Sequence, residues 1–293
     1  MSSPLVIIGT GLAGYNLVKE FRKYDSERKI IMLSNDDGRQ YSKPMLSTGF
    51  SKGKDADGLT MNDAGKVAEQ FNLEIRTFQQ VTKIDAEKKI VMVQDDEIAY
   101  SDLVLALGAA PINLPIKGSE HMMHVNDLLD YHAFHTALQS NEEKKKRILV
   151  LGAGLVGCEY AHDLASAGFD VTIAAPDTQP LARLIPQACG EALIPALQAL
   201  GIKMELKKAV TAVEKTEHGL LATLDDGSQI EVDVILSAVG LKARTELAVQ
   251  AGLEVGRAIE VDRLLKTSKD NIYALGDCAS VCGLHLLYVL PLM

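Results

Sequence analysis

Short apolar runs and helix-spaced apolar positions alternate along this chain, and they do so twice in the same order. Leu5 to Ile8 is a continuous apolar run that ends in glycine. Leu17, Phe21 and Tyr24 then recur at the spacing of one helix face, and Lys29 to Leu33 forms a second short strand. That order predicts a β-α-β unit. Val81 to Ile84, Lys89 to Val93 and Glu97 to Tyr100 alternate between charged or turn-forming residues, as a small antiparallel meander does. Asp102 to Gly108 is almost wholly apolar and fits a strand buried on both faces.

The second half repeats this pattern. Arg147 to Leu151 runs into glycine, Val156, Tyr160 and Leu164 keep helical spacing, and Asp170 to Ala175 supplies the next strand. A helix is expected near Glu191 to Leu200. Strands around Met204 to Glu214 and Gly219 to Leu224, with an Asp225-Asp226-Gly227 turn, make another meander. Asp233 to Gly240 is a second Asp-led apolar run ending in glycine. The predicted fold class is therefore α/β: two Rossmann-like dinucleotide-binding domains, each a parallel sheet with helices plus an antiparallel β-meander. Tyr41 to Lys54 reads as a loop whose Lys43 and Lys52 can face an anion. Pro111, Pro115 and Gly118 punctuate a crossing between domains, and Asn126 to Leu138 is amphipathic.

The glycines carry the candidate chemistry. Gly9, Gly11 and Gly14, and again Gly152, Gly154 and Gly157, have the spacing in which one glycine turns the chain, one admits a pyrophosphate and one lets helix and strand pack. Thr10, Leu12 and Ala13 share the first cradle. A ribose-binding acid is expected about 20 residues beyond the last glycine. This points to Asn35 and Asp36, with Asp37 as the alternative acid.

Composition limits the partners. At 293 residues the chain exceeds one ordinary domain, and its net charge of -9 argues against nucleic acid and a polybasic membrane anchor. The amino-terminal apolar run is cut by glycines before it reaches membrane-spanning length and lacks the basic start of a signal peptide. A soluble protein is expected, with no membrane insertion. The four cysteines make no C-x-x-C pair, which suits a reducing cytoplasm. His121 with His124 and His132 with His135 form two H-x-x-H pairs, but no cysteine or suitably placed carboxylate completes them, so no metal site is expected.

One further segment, Thr267 to Cys278, has an apolar strand core closed by Gly276 and Asp277. The motif order now resembles the flavoprotein disulfide reductase superfamily, in which the first unit binds FAD, the second binds NAD(P)H and a strand ending in Gly-Asp returns to the FAD domain. Within it the chain is most similar to rubredoxin reductases, on Ile7 to Tyr15, Tyr41 to Phe50 and Ile272 to Cys278, with Leu287 to Met293 in support. The resemblance implies a discontinuous FAD domain, residues 1–110 and 238–293, around an NAD domain, residues 111–237. It also implies a third, carboxyl-terminal domain of about a hundred residues, the size of a small domain, that this chain lacks.

By the same resemblance Asp277 contacts the ribityl and phosphate region, and Lys43, Pro44, Val81, Ala106, Gly108 and Val289 lie at the FAD. Glu159 stands near the nicotinamide, paired with a lysine, Lys43 first and Lys52 second; Glu159 and Lys43 are the candidate catalytic residues. NADH passes a hydride to FAD, and single electrons then go to the iron of rubredoxin, feeding an alkane hydroxylase-type system. A ferredoxin or flavorubredoxin reductase is the nearest rival, and a non-turnover NADH-binding redox sensor is a rival of another class. No cysteine precedes Cys158 and no redox dithiol is present, so no thiol relay is expected beside the flavin. The second strand ends Ala174-Ala175-Pro176-Asp177 without a basic residue for a 2′-phosphate, so NADH is preferred to NADPH. Lys144 to Arg147 and Lys203 to Lys208 are candidate basic patches for an acidic carrier. A monomer or weak dimer is expected.

Overall fold

The computed structural model describes residues 3–139 and 146–285, and the chain divides into two units. The first comprises the residues up to Ser42, Thr60–Ala110 and the residues from Leu241 onward; the second comprises Lys43–Leu59 and Pro111–Gly240.

The first unit is built on a five-stranded parallel sheet in the order Ile272–Ala274, Asp102–Leu105, Leu5–Ile8, Ile30–Leu33, Glu74–Arg76. The central strands read as unbroken apolar runs because alternate residues serve two cores. Val6, Ile8, Leu103 and Leu105 pack with Val81, Val91 and Val93 of the antiparallel meander. Leu5, Ile7 and Val104 pack on the other face with Tyr15 and Val18 of the Leu12–Phe21 helix. Each fully buried side chain of this kind contributes about 1.5–3 kcal/mol. Since every pairing is parallel, all five carboxyl ends of the strands lie along one edge.

The second unit carries a four-stranded parallel sheet, Lys203–Leu206, Asp170–Ala175, Arg147–Leu151, Val234–Ser237. Its own meander, Val210–Thr216, Gly219–Leu224 and Gln229–Val232, closes a core with Leu149, Leu151 and Ile235. The repetition extends to the ion pairs at the amino ends of the strands. Asp102 accepts from Arg28 in the first unit, and Asp233 accepts from the Arg147 guanidinium at 2.8 Å and from the Arg147 backbone N–H at 2.7 Å in the second.

Three expectations are corrected. The segment read as a loop from Tyr41 contains a 3-10 helix, Lys43–Thr48, which Pro44 suits because its fixed φ fits a first helical turn. Lys43–Leu59 also groups with the second unit, whereas boundaries at 110 and 238 place it with the first. The reason is burial: the Phe50 ring packs at 5.2–6.2 Å from the rings of Tyr131, Phe134 and Phe169, and Tyr131 donates to the Lys54 carbonyl at 2.7 Å. The helix expected near Glu191 begins earlier, at Gln187 just after Pro186, and runs through Pro195 to Ala199. Val289, Leu287 to Met293 and Lys144 lie outside the described residues. Among the described residues no helix is long and apolar enough to cross a membrane.

Candidate dinucleotide sites

In the first glycine turn two glycines are required by the protein itself. Gly9 has φ +115°, and a Cβ there would stand 2.2 Å from the Ala106 carbonyl oxygen. A Cβ on Gly14 would stand 2.2 Å from the Gly9 carbonyl oxygen. Gly11 is different: its φ of -71° and ψ of -175° suit any residue, and a Cβ would meet no atom within 4 Å. The protein has no steric need for glycine there. What Gly11 preserves is open space over the start of the Leu12–Phe21 helix, whose first turn has no side-chain cap and so offers backbone N–H groups to an anion.

Thr10 is buried, and its hydroxyl shares a 2.6 Å hydrogen bond with that of Ser34. Asp36 is tied into this pair: its Oδ1 accepts from Ser34, from Thr10 at 3.3 Å and from the Gly38 N–H at 2.9 Å. Asp37 instead pairs with Arg39 at 2.7 Å, and Asn35 is exposed. Of the two candidate acids, Asp36 is the one joined to the glycine turn. The chain's return also reaches this turn, because a Cβ on Gly276, at φ +76°, would lie 2.8 Å from the Ala13 Cβ, which brings Asp277 beside the helix start. Leu12 is half-buried on that first turn. Val81 is buried in the core, so its backbone is the part left to face a ligand. Sequence reasoning missed Arg244, whose N–H donates to the Gly108 carbonyl at 3.1 Å and whose guanidinium donates to Leu107 at 3.0 Å.

The second turn repeats the division of labour. Gly152, at φ +103°, would set a Cβ 2.7 Å from the Ala238 carbonyl oxygen, and Gly157 would set one 2.0 Å from that of Gly152. Gly154, with φ -75° and ψ -176°, would again meet nothing within 4 Å. Glu159 lies on the helix that follows, Leu155–Ser166. Its Oε2 accepts from the Ser47 hydroxyl at 2.6 Å. Lys43 Nζ donates to Asn126 at 2.8 Å, and Lys52 stands 3.4 Å from the Thr48 hydroxyl. Glu159 thus holds the hydroxyl of a serine, which no spacing rule singles out within a run of small polar residues. Asp163, also missed, is buried one helical turn beyond Glu159.

The buried thiols are inert. Burial, helped by Glu159, pushes Cys158 up to about 11, and burial pushes Cys278 up to about 11. Neither is a thiolate at neutral pH. His135 packs with the Phe50 and Tyr131 rings at 5.4 and 5.8 Å. Among the described residues no group of three or more His, Cys, Asp or Glu side chains could hold a metal ion.

Two open glycine cradles, each at the carboxyl edge of its own parallel sheet, define a protein built for two dinucleotides. The chain belongs to the pyridine nucleotide-disulphide oxidoreductase family, which it matches over residues 3–289. It is 51% identical over 293 residues to the Rubredoxin-NAD(+) reductase of Alcanivorax borkumensis, an alignment covering 99% of this chain and 76% of that protein. It is 41% identical over 292 residues to the Nitric oxide reductase FlRd-NAD(+) reductase of Escherichia coli O139:H28, covering 100% of this chain and 76% of that protein. The crystal structure of the ferredoxin reductase for the CYP199A2 system from Rhodopseudomonas palustris shares its fold, with a TM-score of 0.87, 24% identity and coverage of 96% of this chain and 69% of that one.

Proposed function

We propose that this protein takes electrons from NADH through FAD to a small iron-containing carrier, and that the carrier is rubredoxin. The observation that carries the reading is the pair Gly11 and Gly154, where glycine keeps two helix N-termini open although no protein atom demands it. The 51% identity to a rubredoxin-NAD(+) reductase supports the chemistry and favours rubredoxin as the carrier.

FAD supplies an acceptor for the hydride of NADH and a donor of single electrons to iron. The chain's own residues bind and orient. The backbone N–H groups around Gly11, Leu12 and Ala13 hold the FAD pyrophosphate, and Asp36, preset by Thr10 and Ser34, accepts from the ribose. Asp277, beside the same turn, takes the ribityl and phosphate end. Val81, Ala106 and Gly108 complete the FAD contacts of this unit. The N–H groups after Gly154 hold the NADH pyrophosphate, and Glu159, fixed by Ser47, accepts from the nicotinamide carboxamide.

Stopped-flow absorbance tests the reading. NADH bleaches the bound flavin rapidly and oxidised rubredoxin restores its colour. Bleaching that no iron carrier reverses would overturn it in favour of an NADH-binding sensor. Restoration by a ferredoxin or by a flavorubredoxin, with rubredoxin inert, would keep the electron path and replace the carrier; the 41% identity to FlRd-NAD(+) reductases makes flavorubredoxin the arm to run beside rubredoxin.

A further inference from the structure

We infer that Asp163 is a positioning residue for the second dinucleotide site, acting through Ser47 on Glu159. The inference rests on the reading of Glu159 as a nicotinamide contact.

Glu159 and Asp163 are four residues apart on one helix, so they project from the same face. Both carboxylates hold the same segment, Lys43–Leu59. Asp163 is 2% exposed, and both of its oxygens are engaged. Its Oδ2 accepts from the Phe50 N–H at 2.8 Å; its Oδ1 accepts from the Ser51 N–H at 3.0 Å and from the Ser51 hydroxyl. A carboxylate buried this deeply is tolerable only with donors of this number, and replacing it by an amide sets an NH2 donor against one of the two inward-facing N–H groups in place of its acceptor.

That clamp closes three residues past Ser47. The Ser47 hydroxyl has a single hydrogen and two acceptors in reach, Glu159 at 2.6 Å and the Pro44 carbonyl at 3.2 Å. The shorter bond to a charged oxygen wins while the turn is held in place. The far side of the turn is equally constrained, since a Cβ on Gly49 would stand 2.4 Å from the Tyr131 hydroxyl oxygen. Asp163 therefore sets which acceptor Ser47 uses, and with it the orientation of the Glu159 carboxylate. Functional groups need to be held to within about 0.5 Å, so a small shift of the turn is enough to lose the effect.

The test is a double-variant cycle on the flavin-loaded full chain, with NAD(+) affinity read by calorimetric titration and amide exchange read by mass spectrometry. Asp163→Asn and Ser47→Ala each weaken NAD(+) binding by about tenfold, while the pair together weakens it little more than either alone. Exchange at Phe50 and Ser51 rises in Asp163→Asn and not in Ser47→Ala. If the two losses multiply, Asp163 serves only the fold and the proposal fails. Should Asp163→Asn not fold, Ser51→Ala decides: it removes one donor and leaves the carboxylate, a loss of about threefold supports the proposal, and unchanged affinity overturns it. Glu159→Gln separates the two levels. If it leaves NAD(+) affinity intact, the reading of Glu159 falls and the proposal falls with it; if it weakens affinity while the cycle is additive, the proposal alone falls.

Discussion

Gly11 and Gly154 adopt the same backbone, φ -71° and ψ -175° against φ -75° and ψ -176°, each at the N-cap of a helix and each with open space where a Cβ would go. Their equivalence makes them a matched pair of probes: one substitution in each unit, at a position where an added Cβ meets no atom within 4 Å.

Gly11→Val is expected to fold and to lose FAD. A Cβ at this position meets no protein atom within 4 Å, so the cost to the empty fold is expected to be of the order of a cap exchange, about 1 kcal/mol. The added side chain fills the approach to the helix N–H groups. The check is a purified variant with parent-like circular dichroism and flavin absorbance below about a tenth of the parent's, the signature of more than 1.4 kcal/mol lost from binding. Full flavin content would remove Gly11 from the FAD cradle.

Gly154→Val is expected to keep the flavin and raise the KM for NADH by at least about tenfold. Steady-state kinetics on the flavin-loaded variant measure this directly. Unchanged kinetics would contradict the assignment of the second turn to NADH.

Gly9→Ala addresses the fold. The residue sits at φ +115° and its Cβ would lie 2.2 Å from the Ala106 carbonyl oxygen, a backbone atom that cannot step aside. Destabilisation by more than about 4 kcal/mol is expected, the range reached when core clash and backbone strain coincide. Urea unfolding of Gly9→Ala beside Gly11→Ala tests the contrast, and equal midpoints would refute it.

Much of this architecture was legible because it is written locally. Leu5 to Ile8 and Arg147 to Leu151 are apolar runs that end in glycine turns, and their strands need no distant information to be recognised. Asp102 and Asp233 marked the starts of matching runs, although only the structure shows that each carries an arginine partner, Arg28 and Arg147. What could not be read depends on contacts far apart in sequence. Ser47 meets Glu159 across 112 positions and Phe50 meets Asp163 across 113, so neither the serine at Glu159 nor the unit to which Lys43–Leu59 belongs is a property of any short window. Arg244 was invisible for the same reason, since it acts on the carbonyls of Leu107 and Gly108.

Asp233 gives an acid-side stability signature. Burial raises its carboxyl, but hydrogen bonds from the Arg147 side chain and backbone outweigh this and hold it below the usual carboxylate range. Because the folded-state carboxyl ionises more readily than the unfolded one, its contribution is complete above the unfolded value of about 3.9 and is lost as pH falls through the lower folded value. Asp233→Asn should therefore lower the Tm at neutral pH, with the gap to the parent closing below about pH 3.9. A gap that persists unchanged to the acid limit would show that packing, rather than the ion pair, sets the cost.

The cysteines give a test of the absence of a thiol relay. Cys158 and Cys278 are buried, and burial pushes each thiol up to about 11, so neither supplies appreciable thiolate at neutral pH. Cys189 and Cys282 are exposed. Iodoacetamide at pH 7.5 should place two adducts on the native protein, on Cys189 and Cys282, and four after denaturation, as read by intact mass and peptide mapping. The same two-adduct pattern should persist after the flavin is reduced by NADH, because electrons that leave through an iron carrier never reside on sulfur. New labelling at Cys158 on reduction would place a thiol in the electron path and overturn the direct route from FAD to the carrier.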